Sequence, residues 1–174
     1  MKRVRIQISE RRREAPPGQR EQSTQSQCAV TGFSRTTYSL LITDDDDAFR
    51  ETLRSIFEPE GFRTLLADSG EGALEILRAH QVHIALLDQH MPRLTGLETL
   101  RLIRQMNSIL PVILMTADRT QQLIREALSA QAFCVMAKPV TRNLVVHTVQ
   151  QALSRSYSPS DKMTTGGDVT SSPR

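Results

Sequence analysis

Apolar residues gather in the middle of this chain, in short runs that alternate with segments of helical spacing. Tyr38-Ser39-Leu40-Leu41-Ile42 reads as a buried strand. Phe49, Leu53, Ile56 and Phe57 then recur at helical spacing over residues 47–58, ahead of Pro59 and Gly61. A second strand runs from Phe62 to Ala67, and Asp68 or Ser69 caps a helix bearing Ala73, Leu74, Ile76 and Leu77 to about His80. His83-Ile84-Ala85-Leu86-Leu87 is a third strand, nearly all apolar. Thr95-Gly96-Leu97-Glu98 has the form of a capping box, opening a helix with Leu97, Leu100, Ile103 and Met106. Pro111 to Met115 predicts a fourth strand, residues 119–129 a helix with Leu123, Ile124, Ala127 and Leu128, and Phe133 to Ala137 a fifth strand. Thr141 caps a last helix carrying Leu144, Val145, Thr148, Val149 and Ala152.

Five strand–helix units in a row make (βα)₅. Strands apolar on both faces and separated by helices indicate a doubly wound α/β fold, a parallel sheet covered on both sides. A domain over residues 38–153 is long enough to bury roughly two-thirds of the surface its unfolded chain exposes.

The flanks have another character. Residues 9–37 are rich in Gln, Ser, Thr and Arg, with Val30 and Phe33 as the sizeable apolar groups. In residues 154–174 Ser, Thr, Gly and Pro dominate. Such stretches bury too little to offset their ordering entropy, so residues 1–37 and 154–174 are expected to be disordered.

Charge follows the same division. Residues 1–37 carry eight basic and three acidic side chains, the central segment eleven and fourteen, and residues 154–174 three and two. The net charge of +3 therefore arises in the tails. A basic arm can contact nucleic acid, but without interleaved aromatics a solvated tail is favoured and nucleic-acid binding is not expected. No apolar run reaches the ~18 residues of a membrane span, so no membrane association is expected. The basic start lacks a signal-peptide core. Two cysteines, Cys28 and Cys134, suit a reduced cytoplasmic setting.

In parallel sheets of this kind ligands gather at the carboxyl ends of the strands. Thr43-Asp44-Asp45-Asp46-Asp47 follows the first strand, Asp88-Gln89-His90-Met91-Pro92 the third, Thr116-Ala117-Asp118 the fourth and Lys138-Pro139 the fifth. Asp44, Asp45, Asp88, a hydroxyl and a lysine thus converge on one edge. Carboxylates in that number suit a hard divalent cation such as Mg²⁺. Asp46 and Asp47 fit better as acids at a helix N-terminus, and His80, His83 and His147 form no metal spacing.

With these pieces in this order, residues 38–153 resemble a response regulator receiver domain of the CheY-like kind. The resemblance implies a flavodoxin-like sheet with strand order 2-1-3-4-5. It implies that Asp88 accepts a phosphoryl group from a histidine kinase or a histidine phosphotransfer protein. Asp45, Asp88 and the main-chain carbonyl of His90 would hold Mg²⁺, with Asp44 acting mostly through water. Lys138 would pair with one phosphoryl oxygen, and Thr116 would reach another and pull its loop inward. His90 and Asp118 would flank the path of the hydrolytic water. A homodimer through the fourth helix, fifth strand and fifth helix is a further expectation.

One departure concerns switching: where many receivers carry Tyr or Phe three residues before the lysine, this chain has Val135, with Phe133 on the same face of the strand. No output module is legible after Leu153, so the output is expected to be a partner protein and the chain a signalling phosphoacceptor, not an enzyme. The competing class is an Mg²⁺-dependent phosphohydrolase with an Asp nucleophile. Its Asp-x-Asp pattern is lacking at Asp88, which Gln89 and His90 follow, and Asp44 begins an Asp run rather than that motif's Thr/Val context.

Overall fold

The computed structural model describes residues 37–157. Five strands, β1 (Ser39–Thr43), β2 (Arg63–Ala67), β3 (Ile84–Asp88), β4 (Val112–Thr116) and β5 (Cys134–Ala137), form one sheet in the order β2-β1-β3-β4-β5. All four pairings are parallel. Helices α1 (Asp47–Phe57), α2 (Gly70–Ala79), α3 (Gly96–Met106), α4 (Gln121–Ser129) and α5 (Arg142–Tyr157) alternate with the strands. The doubly wound (βα)₅ architecture and strand order expected above are therefore present.

Alternation along each strand sends its side chains to two cores. Leu41, Ala85, Leu87, Val112 and Leu114 pack against α2, α3 and α4, through residues such as Ile76, Leu100 and Ala127. Leu40, Ile42, Ile84, Leu86, Ile113 and Met115 pack the other way, against Leu53 and Phe57 of α1 and Val145 and Val149 of α5. Strands buried on both faces explain why the apolar runs are continuous rather than alternating.

Caps and close contacts set the element ends. Asp46 caps α1 by accepting from the N–H groups of Ala48 and Phe49, and Ser69 caps α2 through Gly72. Thr95 and Glu98 close the capping box of α3 reciprocally. Gly61, with φ at +89°, makes the left-handed turn between α1 and β2. Gly96 lies against the end of β3, where a Cβ would stand 2.2 Å from the Asp88 carbonyl oxygen.

The last helix continues past Leu153 to Tyr157, further than the composition of that segment implied. Its final ring packs 6.1 Å from that of Tyr38 and 5.9 Å from that of His83, a tertiary contact that composition does not register. The remaining tail expectations, for residues 1–36 and 158–174, lie outside the described residues.

Candidate functional site

Register brings the polar strand ends level. Thr43 stands beside Leu87, Asp88 beside Met115, and Thr116 beside Ala137. The residues that follow β1, β3 and β5 therefore meet at one edge. That edge includes the gap between β1 and β3, the two strands from which the chain winds in opposite directions and where doubly wound sheets hold ligands.

Asp44 and Asp88 are buried there and Asp45 is exposed. One carboxylate oxygen from each lies within 4.8 Å of the others. The Lys138 ammonium reaches in from the end of β5, donating to Asp44 Oδ2 at 2.5 Å and pairing with Asp88 Oδ1 at 2.7 Å. The second oxygen of each buried carboxylate takes a main-chain N–H: Asp46 to Asp44 Oδ1 at 2.9 Å, and His90 to Asp88 Oδ2 at 2.8 Å. The site is thus held by tight loops that turn their own N–H groups back onto its acids.

Burial pushes the Asp44 carboxyl above its ordinary range, and the Lys138 and Asp46 donors offset this only in part. Burial also opposes the Lys138 charge. The hydrogen bonds and charges of Asp44 and Asp88 outweigh it and hold the ammonium's pKa above the usual lysine value. Two carboxylates share one ammonium, so the cluster keeps a negative excess into which a further cation fits. Three hard oxygen donors this close, one of them open to solvent, match what Mg²⁺ accepts while retaining water.

Not every residue anticipated for the site touches it. The Thr116 hydroxyl donates to the Asp118 carbonyl at 2.9 Å and accepts from the Asp118 N–H at 3.1 Å. It is engaged with its own loop, while its carbonyl takes the Lys138 N–H at 2.8 Å. The His90 residue is exposed and enters the site through its backbone. Val135 is partly buried against the α2–α4 core. Phe133, expected on the same face as Val135, instead packs on the other core, as does Phe49, because it precedes β5 and escapes the strand's alternation.

Three supporting residues were not legible as such in the sequence. Arg50, buried in α1, donates to the Asp44 carbonyl and to Asp47 Oδ1. Gln89 accepts from the Leu97 N–H with its side-chain oxygen at 3.1 Å, tying the β3 loop to the start of α3. Phe49 lies with its ring centroid 4.2 Å from the Lys138 ammonium. Its helical spacing marked it as core, and nothing local in the sequence points to a lysine so distant along the chain.

A parallel five-stranded sheet with one buried acid just after β1, another closing β3 and a lysine just after β5 defines the receiver class of two-component signalling. The model of the response regulator receiver domain matches residues 40–150, and the chain belongs to that family. It is 31% identical over 119 residues to the transcriptional regulatory protein ZraR of Escherichia coli (strain K12), a match covering 68% of this chain and 27% of ZraR. The chain thus spans about a quarter of that relative's length. Among solved structures it is similar to a CheY-like response regulator receiver domain protein from Methanospirillum hungatei JF-1, with a TM-score of 0.68 and 23% identity over 70% of this chain and 97% of that one. It is also similar to a chain of the CheX-CheY-BeF3-Mg+2 complex from Borrelia burgdorferi, with a TM-score of 0.63 and 30% identity over 66% of this chain and 87% of that one. Among the described residues no helix is long and apolar enough to cross a membrane.

Proposed function

We propose that this chain is a phosphoacceptor of a two-component pathway, with Asp88 as the acceptor. The Asp88 carboxylate attacks the phosphorus of a phosphohistidine on a kinase or phosphotransfer protein. A P–O bond to Asp88 forms as the P–N bond to the donor breaks, and the donor imidazole recovers its electron pair. Such transfers need positioning and charge neutralisation more than covalent chemistry from the protein. Lys138 is placed to follow a phosphoryl oxygen as Asp88 gives up its own charge. The N–H of His90 keeps the second Asp88 oxygen oriented. Asp44, Asp45 and Asp88, with the main-chain carbonyl of His90, would hold Mg²⁺, which supplies positive charge to the transferring oxygens when bound.

Thr116 is the switch group in this reading. Exchange of its bonds to Asp118 for a phosphoryl oxygen would move the β4–α4 loop and bias the adjoining surface toward a partner protein. With Val135 at the usual aromatic position, that bias would reach the surface of α4, β5 and α5, also the proposed homodimer face, through other packing. Residues 38–153 form the signalling unit in this proposal, and the setting is cytoplasmic.

The observation that carries the reading is the Lys138 ammonium bridging two buried carboxylates from separate strands. The test is incubation with acetyl phosphate and Mg²⁺, followed by intact-mass measurement. One base-labile phosphoryl group is expected on the natural chain and none on Asp88→Asn. Stable labelling of Asp88→Asn would assign another acceptor. Turnover of a generic phosphate ester would favour the phosphohydrolase class instead.

A further inference from the structure

Two carboxylates take the Lys138 ammonium on one side, and the ring of Phe49 covers another at 4.2 Å from its centroid. That is well inside the ~6 Å over which an aromatic face attracts a cation. The ring is placed by the same loop that presents the acids. Asp46 caps α1 through the Ala48 and Phe49 N–H groups while its own N–H goes to Asp44. A single turn of chain after β1 therefore supplies both a carboxylate partner of Lys138 and the aromatic face beside it.

A lysine stem is flexible, and its ammonium is positioned only by what it touches. When Asp88 becomes an acyl phosphate, its carboxylate ceases to be the partner it was. The ammonium must then swing to a phosphoryl oxygen. A carboxylate binds it in a fixed direction, whereas the negative face of a ring attracts it over a range of angles.

We propose that Phe49 is a positioning residue for phosphoryl transfer, holding the Lys138 ammonium by its ring face while the ammonium passes from Asp88 to the phosphoryl group. This deepens the phosphoacceptor reading and rests on it. The competing role for Phe49 is apolar cover on the core shared by α1 and α5.

The quadrupole of the ring separates the two roles, since fluorination weakens it with little change of shape. Chains carrying mono-, di- and trifluorophenylalanine at position 49 are compared with Phe49→Leu and Phe49→Trp, each checked for an unchanged melting temperature. The reading is the rate of phosphoryl incorporation from acetyl phosphate at saturating Mg²⁺. The rate is expected to fall step by step with fluorination, to about two- to five-fold for the trifluoro ring and for Phe49→Leu, and to recover in Phe49→Trp. Equal rates across the fluorinated series would overturn the positioning role and leave the phosphoacceptor reading standing. A natural chain that takes up no phosphoryl group would overturn that reading, and this one with it.

Discussion

Lys138 carries unequal obligations at the residue scale. It is one ammonium facing two buried carboxylates, and its side chain is only 20% exposed. Removing it leaves like charges with no counterion in a poorly hydrated site. Breaking a buried pair in this way costs several kcal/mol, and the partial exposure here places the loss near the lower end, about 2–3 kcal/mol. We predict that Lys138→Met lowers the unfolding free energy measured by urea denaturation by that amount in EDTA, and that Mg²⁺ recovers more stability in the variant than in the natural chain. The reason is that the divalent ion would then be the one cation left to the acids. Equal Mg²⁺ effects in the two proteins would show that lysine and metal do not share the same carboxylates.

His83, at the element scale, joins the ends of β1, β3 and α5. Its Nδ1 accepts from the Ser39 N–H at 2.9 Å, and its ring packs edge-on against Tyr38 and Tyr157. Burial lowers its pKa below the ordinary 6.5. A group with a depressed folded pKa contributes stability that is complete above its unfolded pKa and is lost as pH falls toward the folded one. Protonation also turns Nδ1 from acceptor to donor and sets it against the Ser39 N–H. The melting temperature is therefore expected to decline as pH drops below 6.5, and the decline should flatten in His83→Gln, whose amide oxygen can still accept. The same slope in both proteins would remove His83 as its source. Hydrogen exchange at the Ser39 amide provides an independent readout.

At the scale of the whole molecule, the described residues form two cores, one on each face of the sheet. The α2–α4 side spans Leu41 to Ala132, and the α1–α5 side spans Leu40 to Leu153, with Tyr157 packed on it. A fragment of residues 37–157 is accordingly expected to unfold in one cooperative step, within a few degrees of the full chain, and to accept a phosphoryl group equally well. A large loss of melting temperature on trimming would mean that residues beyond either boundary pack on this domain. The homodimer proposed through α4, β5 and α5 would cover apolar side chains that this domain leaves open. Leu128 of α4 and Leu144 of α5 are each about half exposed, 53% and 51%.

Local structure was largely legible in the chain, because the relevant signals lie close together in sequence. Continuous apolar runs marked strands buried on both faces, and the caps at Ser69 and Thr95 act over three residues. Boundaries moved by a residue or two where side-chain geometry outweighed periodicity. Thr120, accepting from the Leu123 N–H, starts α4 at Gln121 instead of 119.

The residue types at the strand ends were also readable, since a parallel sheet sends each carboxyl end to the same edge. Their partners were not. That Lys138 bridges Asp44 and Asp88, that the Thr116 hydroxyl turns to Asp118, and that Phe49 faces the ammonium are matters of distances between segments far apart in the chain. The extension of α5 to Tyr157 belongs with them, since the rings of Tyr38 and His83 receive its end. Periodicity and capping act through near neighbours, so the sequence carries them outright. The register of five strands brings remote side chains within a few ångströms, and only the packed sheet determines which of them meet.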